Sequence, residues 1–327
     1  MNDLTFWIIF CVAVTIMFII DLYATDHRHG KIGIKSSLIW SGVWISAALL
    51  FNLAIFLFMD HGHQKAVEFL TGYLIEKSLS VDNLFVFLMI FSVMDVKNED
   101  QPHVLKWGIL SAIVLRILFI LAGVTLINMF HPIIYFFGVL LFYAAYKMAF
   151  GGEQKLVLED NPIIKFVTKR FNVTMVYHGR HFFFKENGKT YITSLLVTLL
   201  LIESADIVFA IDSIPAIIAI TRDPFIVITS NIFAILGLRA LYFALAGIVD
   251  LFVYLKYGVA VILFYVGVKM LISDLYHIPT YISLGFIVLC LTVSIVMSLM
   301  HNKKKAKEEL LVEEMKKKAG KQVLDKK

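Results

Sequence analysis

Leu201-Ile202-Glu203-Ser204-Ala205-Asp206-Ile207-Val208-Phe209-Ala210-Ile211-Asp212-Ser213-Ile214-Pro215 sits inside an apolar run from about 191 to 220. A run of that length suits a bilayer, whose hydrocarbon core takes about 20 helical residues to cross. Three carboxylates inside it are expensive. An ionised Asp at the bilayer centre costs about 2.5–3.5 kcal/mol on insertion scales, so such a group marks function by default. Asp206 falls close to the middle of the run, at membrane depth.

A second acidic run lies upstream. The stretch of about 66–94 carries Glu76, Lys77, Asp82 and Asn83. Helical spacing puts Glu76, Ser80 and Asn83 on one face, and Glu203 and Asp206 on one face of the other run. Asp212, six residues beyond Asp206, points elsewhere on an ideal helix. Pro215 lacks an N–H and frees the carbonyl of Ile211. A helix broken there is expected to turn Asp212 and that carbonyl toward a shared cavity.

The rest of the chain agrees with a membrane protein. Of 327 residues, 59% are hydrophobic and 17% charged, against about 45–50% and 25% in soluble domains; mean hydropathy is +0.81. Apolar runs fall at about 4–20, 38–59, 66–94, 104–128, 131–150, 191–220, 225–249, 254–273 and 279–300. The expected fold is therefore an all-α polytopic membrane protein with about nine transmembrane helices across 1–300. A small polar insertion occupies 151–190, and a basic tail occupies 301–327. Within the insertion, Asn187-Gly188 reads as the turn of a hairpin. The start, Met1-Asn2-Asp3, lacks a basic signal region, so the first run reads as a retained span.

The two cysteines, Cys11 and Cys290, both lie in apolar stretches. They make neither a disulfide framework nor a zinc spacing. Nucleotide-binding glycine loops are absent from the sequence. The net charge of +5 does not point to nucleic acid, because the positive charge gathers in the insertion and the tail. Membrane topology explains that placement: Lys and Arg accumulate on the cytoplasmic side. With the N-terminus outside, the outer loops hold only Lys65, Arg222 and Lys269. The C-terminus is then cytoplasmic.

The chain also repeats itself. Leu141-Phe142-Tyr143 with Lys147-Met148 matches Leu263-Phe264-Tyr265 with Lys269-Met270. Arg116 matches Arg239, Asp82 matches Asp206, and Glu76 has a rough counterpart in Glu203. Each copy, about 66–150 and about 191–273, holds three spans, so the second is inverted in the membrane. Inverted repeats of three plus three are a transporter architecture, with the site near the midplane.

Carboxylates, an amide oxygen and bare carbonyls suit hard divalent cations such as Mg²⁺, Ca²⁺ and Mn²⁺. Neither Cys nor His sits among the acids, which disfavours copper and zinc. Met89 reads as packing before it reads as a softer ligand. Lys77, Arg116 and Arg239 lie within spans and are expected to balance charge or gate; pairing with them would make some of the acids structural.

Two stretches resemble signatures of a known family. Phe69-Leu70-Thr71-Gly72-Tyr73, continuing as LIEKSLSVDNLFVF, is similar to the first signature of the TerC family of integral membrane proteins. Ile207–Ala216 is similar to the second, and the segments from Asp223 and Tyr254 resemble its Alx-like branch. The resemblance covers the chain to about residue 300. It implies membership of the lysine exporter superfamily and manganese efflux across a bacterial cytoplasmic membrane. It places the family's acidic positions on Glu76, Asp82, Asn83, Glu203, Asp206 and Asp212, the expected metal donors, and makes Asp21, at the inner end of the first span, a family position expected to gate or balance charge.

The expectation is a secondary transporter, not an enzyme, that exports a divalent cation, most readily Mn²⁺, in possible exchange for protons. Mn²⁺ would be substrate, with no permanently bound cofactor, and the bilayer would be the other partner. The alternative is a membrane scaffold or accessory protein of tellurite or metal-stress resistance without transport. Asp82 and Asp212 on separate spans also suit an intramembrane aspartyl protease, but the GxGD pattern of such proteases is absent.

Overall fold

The computed structural model describes residues 3–24, 34–130, 132–150, 162–174, 179–186, 188–245, 253–276 and 278–324. Its elements are α1 (Asp3–Ala24), α2 (Ile34–Phe58), α3 (Gly62–Val93), α4 (Gln101–Met129), α5 (Ile133–Phe150) and α6 (Pro162–Arg170). Strands β1 (Asn172–Thr174), β2 (Phe183–Glu186) and β3 (Lys189–Thr193) follow. The chain then continues through α7 (Ser194–Ile218), α8 (Pro224–Ile235), α9 (Leu238–Leu245), α10 (Leu255–Leu271) and α11 (Thr280–Leu324). The fold is an all-α membrane architecture. Among the described residues, seven helices or joined helix pairs are long and apolar enough to cross a bilayer. Helix α3 has the length but carries Glu76, Lys77 and Asp82 along it, and α10 has 17 residues.

Large apolar side chains cover the outside: Leu4, Leu50, Leu118, Val139 and Leu289 are all exposed. This inversion is what lipid permits, since acyl chains are as apolar as leucine. Helix α8 forms the centre, buried from Phe225 through Ile235. Asp223 caps it by accepting a hydrogen bond from the Phe225 amide at 3.0 Å, and Pro224 opens its first turn, where a missing N–H costs nothing. Phe51 on α2 meets Phe233 on α8 with ring centroids 4.7 Å apart. Phe10, Phe69 and Phe225 complete that aromatic cluster.

Helix α3 packs on α8, α4 packs on α7, and α5 packs on α10. At the α5–α10 seam, Phe142 and Phe264 lie 5.0 Å apart. A Cβ on Gly267 would come within 3.1 Å of the Gly138 carbonyl oxygen, so the absent side chain lets the two backbones approach closely.

One local expectation changes. Helix α7 runs unbroken through Pro215 and ends at Ile218, so the proline does not unwind the segment around Asp212. The break falls elsewhere, between α8 and α9, where Gly237 takes a φ of +82°. Its Cβ position would lie 2.5 Å from the Trp44 ring, so both the left-handed backbone and the close indole demand glycine. The tail, for its part, continues α11 as one helix to Leu324.

The polar insertion folds into a three-stranded sheet in the order β1-β3-β2. The expected hairpin is β2–β3, antiparallel with Glu186 opposite Lys189 and Gly188 at φ +75°. The sheet is tied to the start of α4. Arg180 pairs with Asp100 at 3.2 Å, and the Phe182 ring lies 5.1 Å from that of His103.

Candidate functional site

Deep in the bundle, one guanidinium joins two of the sequence-expected acids. Arg116 on α4, Glu76 on α3 and Asp206 on α7 are all buried. The Arg116 Nη2 donates to Asp206 Oδ1 at 3.0 Å and its Nε donates to Oδ2 at 3.4 Å, a two-pronged grip on one carboxylate. Its Nη1 donates to Glu76 Oε1 and, at 3.1 Å, to Ser213 Oγ. The Asn231 Nδ2 donates to Glu76 Oε2 at 3.1 Å, while Asn231 Oδ1 is buried with no hydrogen-bond partner among the described residues. The Ser80 hydroxyl donates to the Glu76 carbonyl oxygen at 2.7 Å.

Helix geometry explains the convergence. Glu76, Ser80 and Asn83 share the face of α3 that the spacing predicts, and all three are buried. Asp206 lies on the α7 face packed against α4. The guanidinium offsets the desolvation of the two buried carboxylates, and removing one partner from such a group typically costs about 3–5 kcal/mol.

Glu203, the rough repeat counterpart of Glu76, is half-buried and differently held. Its Oε1 accepts from Ser111 Oγ at 2.6 Å. Its Oε2 is buried and has no hydrogen-bond partner among the described residues. Lys77 donates to the Ala234 carbonyl at 3.2 Å. Arg239, the match of Arg116, takes a different partner altogether: its Nε lies 3.2 Å from Asp21 Oδ2, and its Nη2 donates to the Asp21 carbonyl. Asp21 and Arg239 are both buried. Asp82 and Asp212 lie on α3 and α7, and their side chains fall outside the described residues.

Of the ten singled-out residues, the structure thus brings Glu76, Asp206 and Arg116 into one group and Asp21 and Arg239 into another. Glu203 and Lys77 each make separate contacts, and Asn83 is buried on the α3 face. Among the described residues, no three His, Cys, Asp or Glu side chains form a ready metal cluster. Arg116 already fills the space between Glu76 and Asp206. Sequence reasoning missed Asn231 and Ser111, although an Asn inside the apolar run of about 225–249 is itself a signal of a buried polar contact.

Toward the N-terminal end of α3 lies a cavity of about 520 Å³. Gln64, Glu68, Ala219, Asp223 and Lys269 line it, with Lys65 and Asp223 paired at 3.1 Å. Glu68 precedes Glu76 by eight residues, roughly 12 Å along a helix.

The chain is similar to known proteins along most of its length. A protein of Escherichia coli named "Putative membrane-bound redox modulator Alx" is 47% identical over 288 residues, covering 86% of this chain and 90% of that protein. A protein of the same name from Photorhabdus laumondii is 43% identical over 309 residues, 92% of this chain and 97% of the relative. An uncharacterized membrane protein of Myxococcus xanthus is 44% identical over 297 residues, 91% and 92% of the two chains. No solved structure matches. The family model described as "Integral membrane protein TerC family" matches residues 61–306. The chain belongs to the TerC family of integral membrane proteins.

Proposed function

We propose that this protein is a secondary transporter exporting a divalent cation, Mn²⁺ first, through the acids of α3 and α7. The observation that carries the reading is the buried Glu76–Arg116–Asp206 group with its amide and hydroxyl neighbours, set in a body with an apolar exterior. Hard oxygen donors are what such a cation takes in exchange for its water. Glu76, Asp82, Asn83, Glu203, Asp206 and Asp212 form the proposed donor set, and Arg116 balances their charge when the cation is away.

An inverted repeat of three plus three spans supports the reading. Helix α3 packs on α8 as α7 packs on α4, and the matched residues Phe142 and Phe264 face each other. With α3 and α10 counted as spans the chain crosses the membrane nine times. In this reading it sits in the bacterial cytoplasmic membrane with its N-terminus outside, and the sheet-bearing insertion and α11's tail are cytoplasmic. Entering protons compete with the cation for the carboxylates and release it outside.

One observation favours the second reading, a scaffold or accessory protein of metal-stress or tellurite resistance: Arg116 already satisfies Glu76 and Asp206, as a structural ion group would. Uptake of labelled Mn²⁺ into inverted vesicles holding the purified protein separates the two. Uptake above protein-free vesicles supports export; its absence in correctly inserted protein defeats it.

A further inference from the structure

The two matched arginines are held by different partners, and the helices that carry them differ in continuity. Helix α4 carries Arg116 on an unbroken 29-residue helix. The corresponding helix of the second copy is cut at Gly237, so that Arg239 rides on the separate eight-residue α9. Beyond the cut α9 packs against α2, where Trp44 fills the space beside Gly237. Arg239 there reaches Asp21 of α1, outside the repeat. Meanwhile Glu203 keeps a buried Oε2 without a donor, whereas its counterpart Glu76 has both oxygens filled, one of them by Arg116.

We infer that α9 is an arm hinged at Gly237 that carries Arg239 between Asp21 and Glu203, so that Arg116 on Glu76 and Arg239 on Glu203 hold two alternate states of the protein. The inference rests on the proposed transport site and repeat, and it names the device that changes their state. Straightening the chain at Gly237 joins α8 and α9 into one helix like α4. That movement withdraws Arg239 from Asp21 and supplies the missing donor to Glu203 Oε2. In the reciprocal step Arg116 leaves Glu76 and Asp206, which frees their oxygens for a cation. Inverted repeats reach their two access states by this kind of exchange, one copy taking the conformation of the other.

The arm is tested by distance measurement in metal-free protein in lipid nanodiscs. Nitroxide labels go on Leu241→Cys of α9 and Ile16→Cys of α1, with Cys11→Ser and Cys290→Ser to remove the native thiols. Pulsed electron spin resonance then reads the populations of two distances. Asp21→Asn removes the charge that holds Arg239, leaving the hydrogen bond to the residue-21 carbonyl, and is expected to raise the swung population at least about fivefold, the lower end of typical coupling between sites. Arg239→Gln breaks the same pair but removes the cation that holds the swung state, so it is expected to lower that population. Gly237→Ala touches no charge. It disfavours the left-handed turn against Trp44 and is expected to act like Asp21→Asn.

A static ion pair predicts that Asp21→Asn and Arg239→Gln shift the distances the same way or not at all, and either result overturns the proposal. If Asp21→Asn does not insert, Gly237→Ala carries the test, and an unchanged distance there overturns it equally. Manganese flux plays no part in the readout. Absent flux with a moving arm would defeat export alone, and flux with a fixed arm would defeat the hinge alone.

Discussion

Arg116 on α4 grips Asp206 on α7 through two hydrogen bonds, at 3.0 and 3.4 Å, and with Nη1 it also holds Glu76 on α3. Two consecutive helices and a third far along the chain are thus joined by one buried cation. A pair of carboxylates placed this way takes up a divalent cation only when the guanidinium withdraws. The function proposed for the site turns on that competition.

Asp206→Asn keeps an oxygen for Arg116 and removes the charge a divalent ion needs. Normal membrane abundance with loss of protection against excess manganese is the expected outcome, measured by growth in rising manganese beside immunoblots and cellular metal content. Full protection at wild-type abundance would remove Asp206 from the site. Loss of the protein itself would mark the residue as structural.

Arg116→Ala should behave differently. It leaves Glu76 and Asp206 buried without their cation, which typically costs about 3–5 kcal/mol. The variant is expected to accumulate poorly and to lose its folded fraction at a lower temperature, read by size-exclusion profiles after graded heating. A heat profile equal to that of the wild type would show that the pairing contributes little.

The α5–α10 seam depends on the absence of a side chain at Gly267. A Cβ there meets Phe142 at 3.0 Å and the Gly138 carbonyl at 3.1 Å. Gly267→Val is expected to separate the helices and cost about 1–3 kcal/mol through overpacking. The same heating assay measures it, with Gly285→Val, whose Cβ position meets nothing within 4 Å, as the control. Equal losses in both would contradict close packing at the seam.

Topology is open to a direct check. A reporter active only outside the cytoplasm is expected to work when fused near Lys65 and to be silent near Glu186 or at Lys327. Activity at Glu186 would overturn the inverted arrangement of the two copies.

Proton coupling follows from a site made of titratable groups. An inward proton gradient imposed at constant voltage should speed Mn²⁺ efflux, because protons discharge the carboxylates and release the metal. Flux indifferent to that gradient would exclude exchange.

The sequence by itself determined the solvent and the depth of the acids. Apolar runs about as long as a bilayer is thick can only be helices there, since lipid offers no partners for open backbone, and Glu76, Glu203 and Asp206 fall inside such runs. Period alone also put Glu76, Ser80 and Asn83 on one buried face. What periodicity leaves open is how one helix is rotated against another, and that is settled by side chains far away in the chain. Only tertiary structure decided that Arg116 meets Glu76 and Asp206 while its match Arg239 turns to Asp21. It also decided that the chain bends at Gly237 beside Trp44 and not at Pro215. Three residues before the end of α7, the proline forfeits a single internal hydrogen bond and the helix continues. Gly237 lies against the Trp44 side chain contributed by α2, and no reading of its own neighbours in sequence discloses that contact.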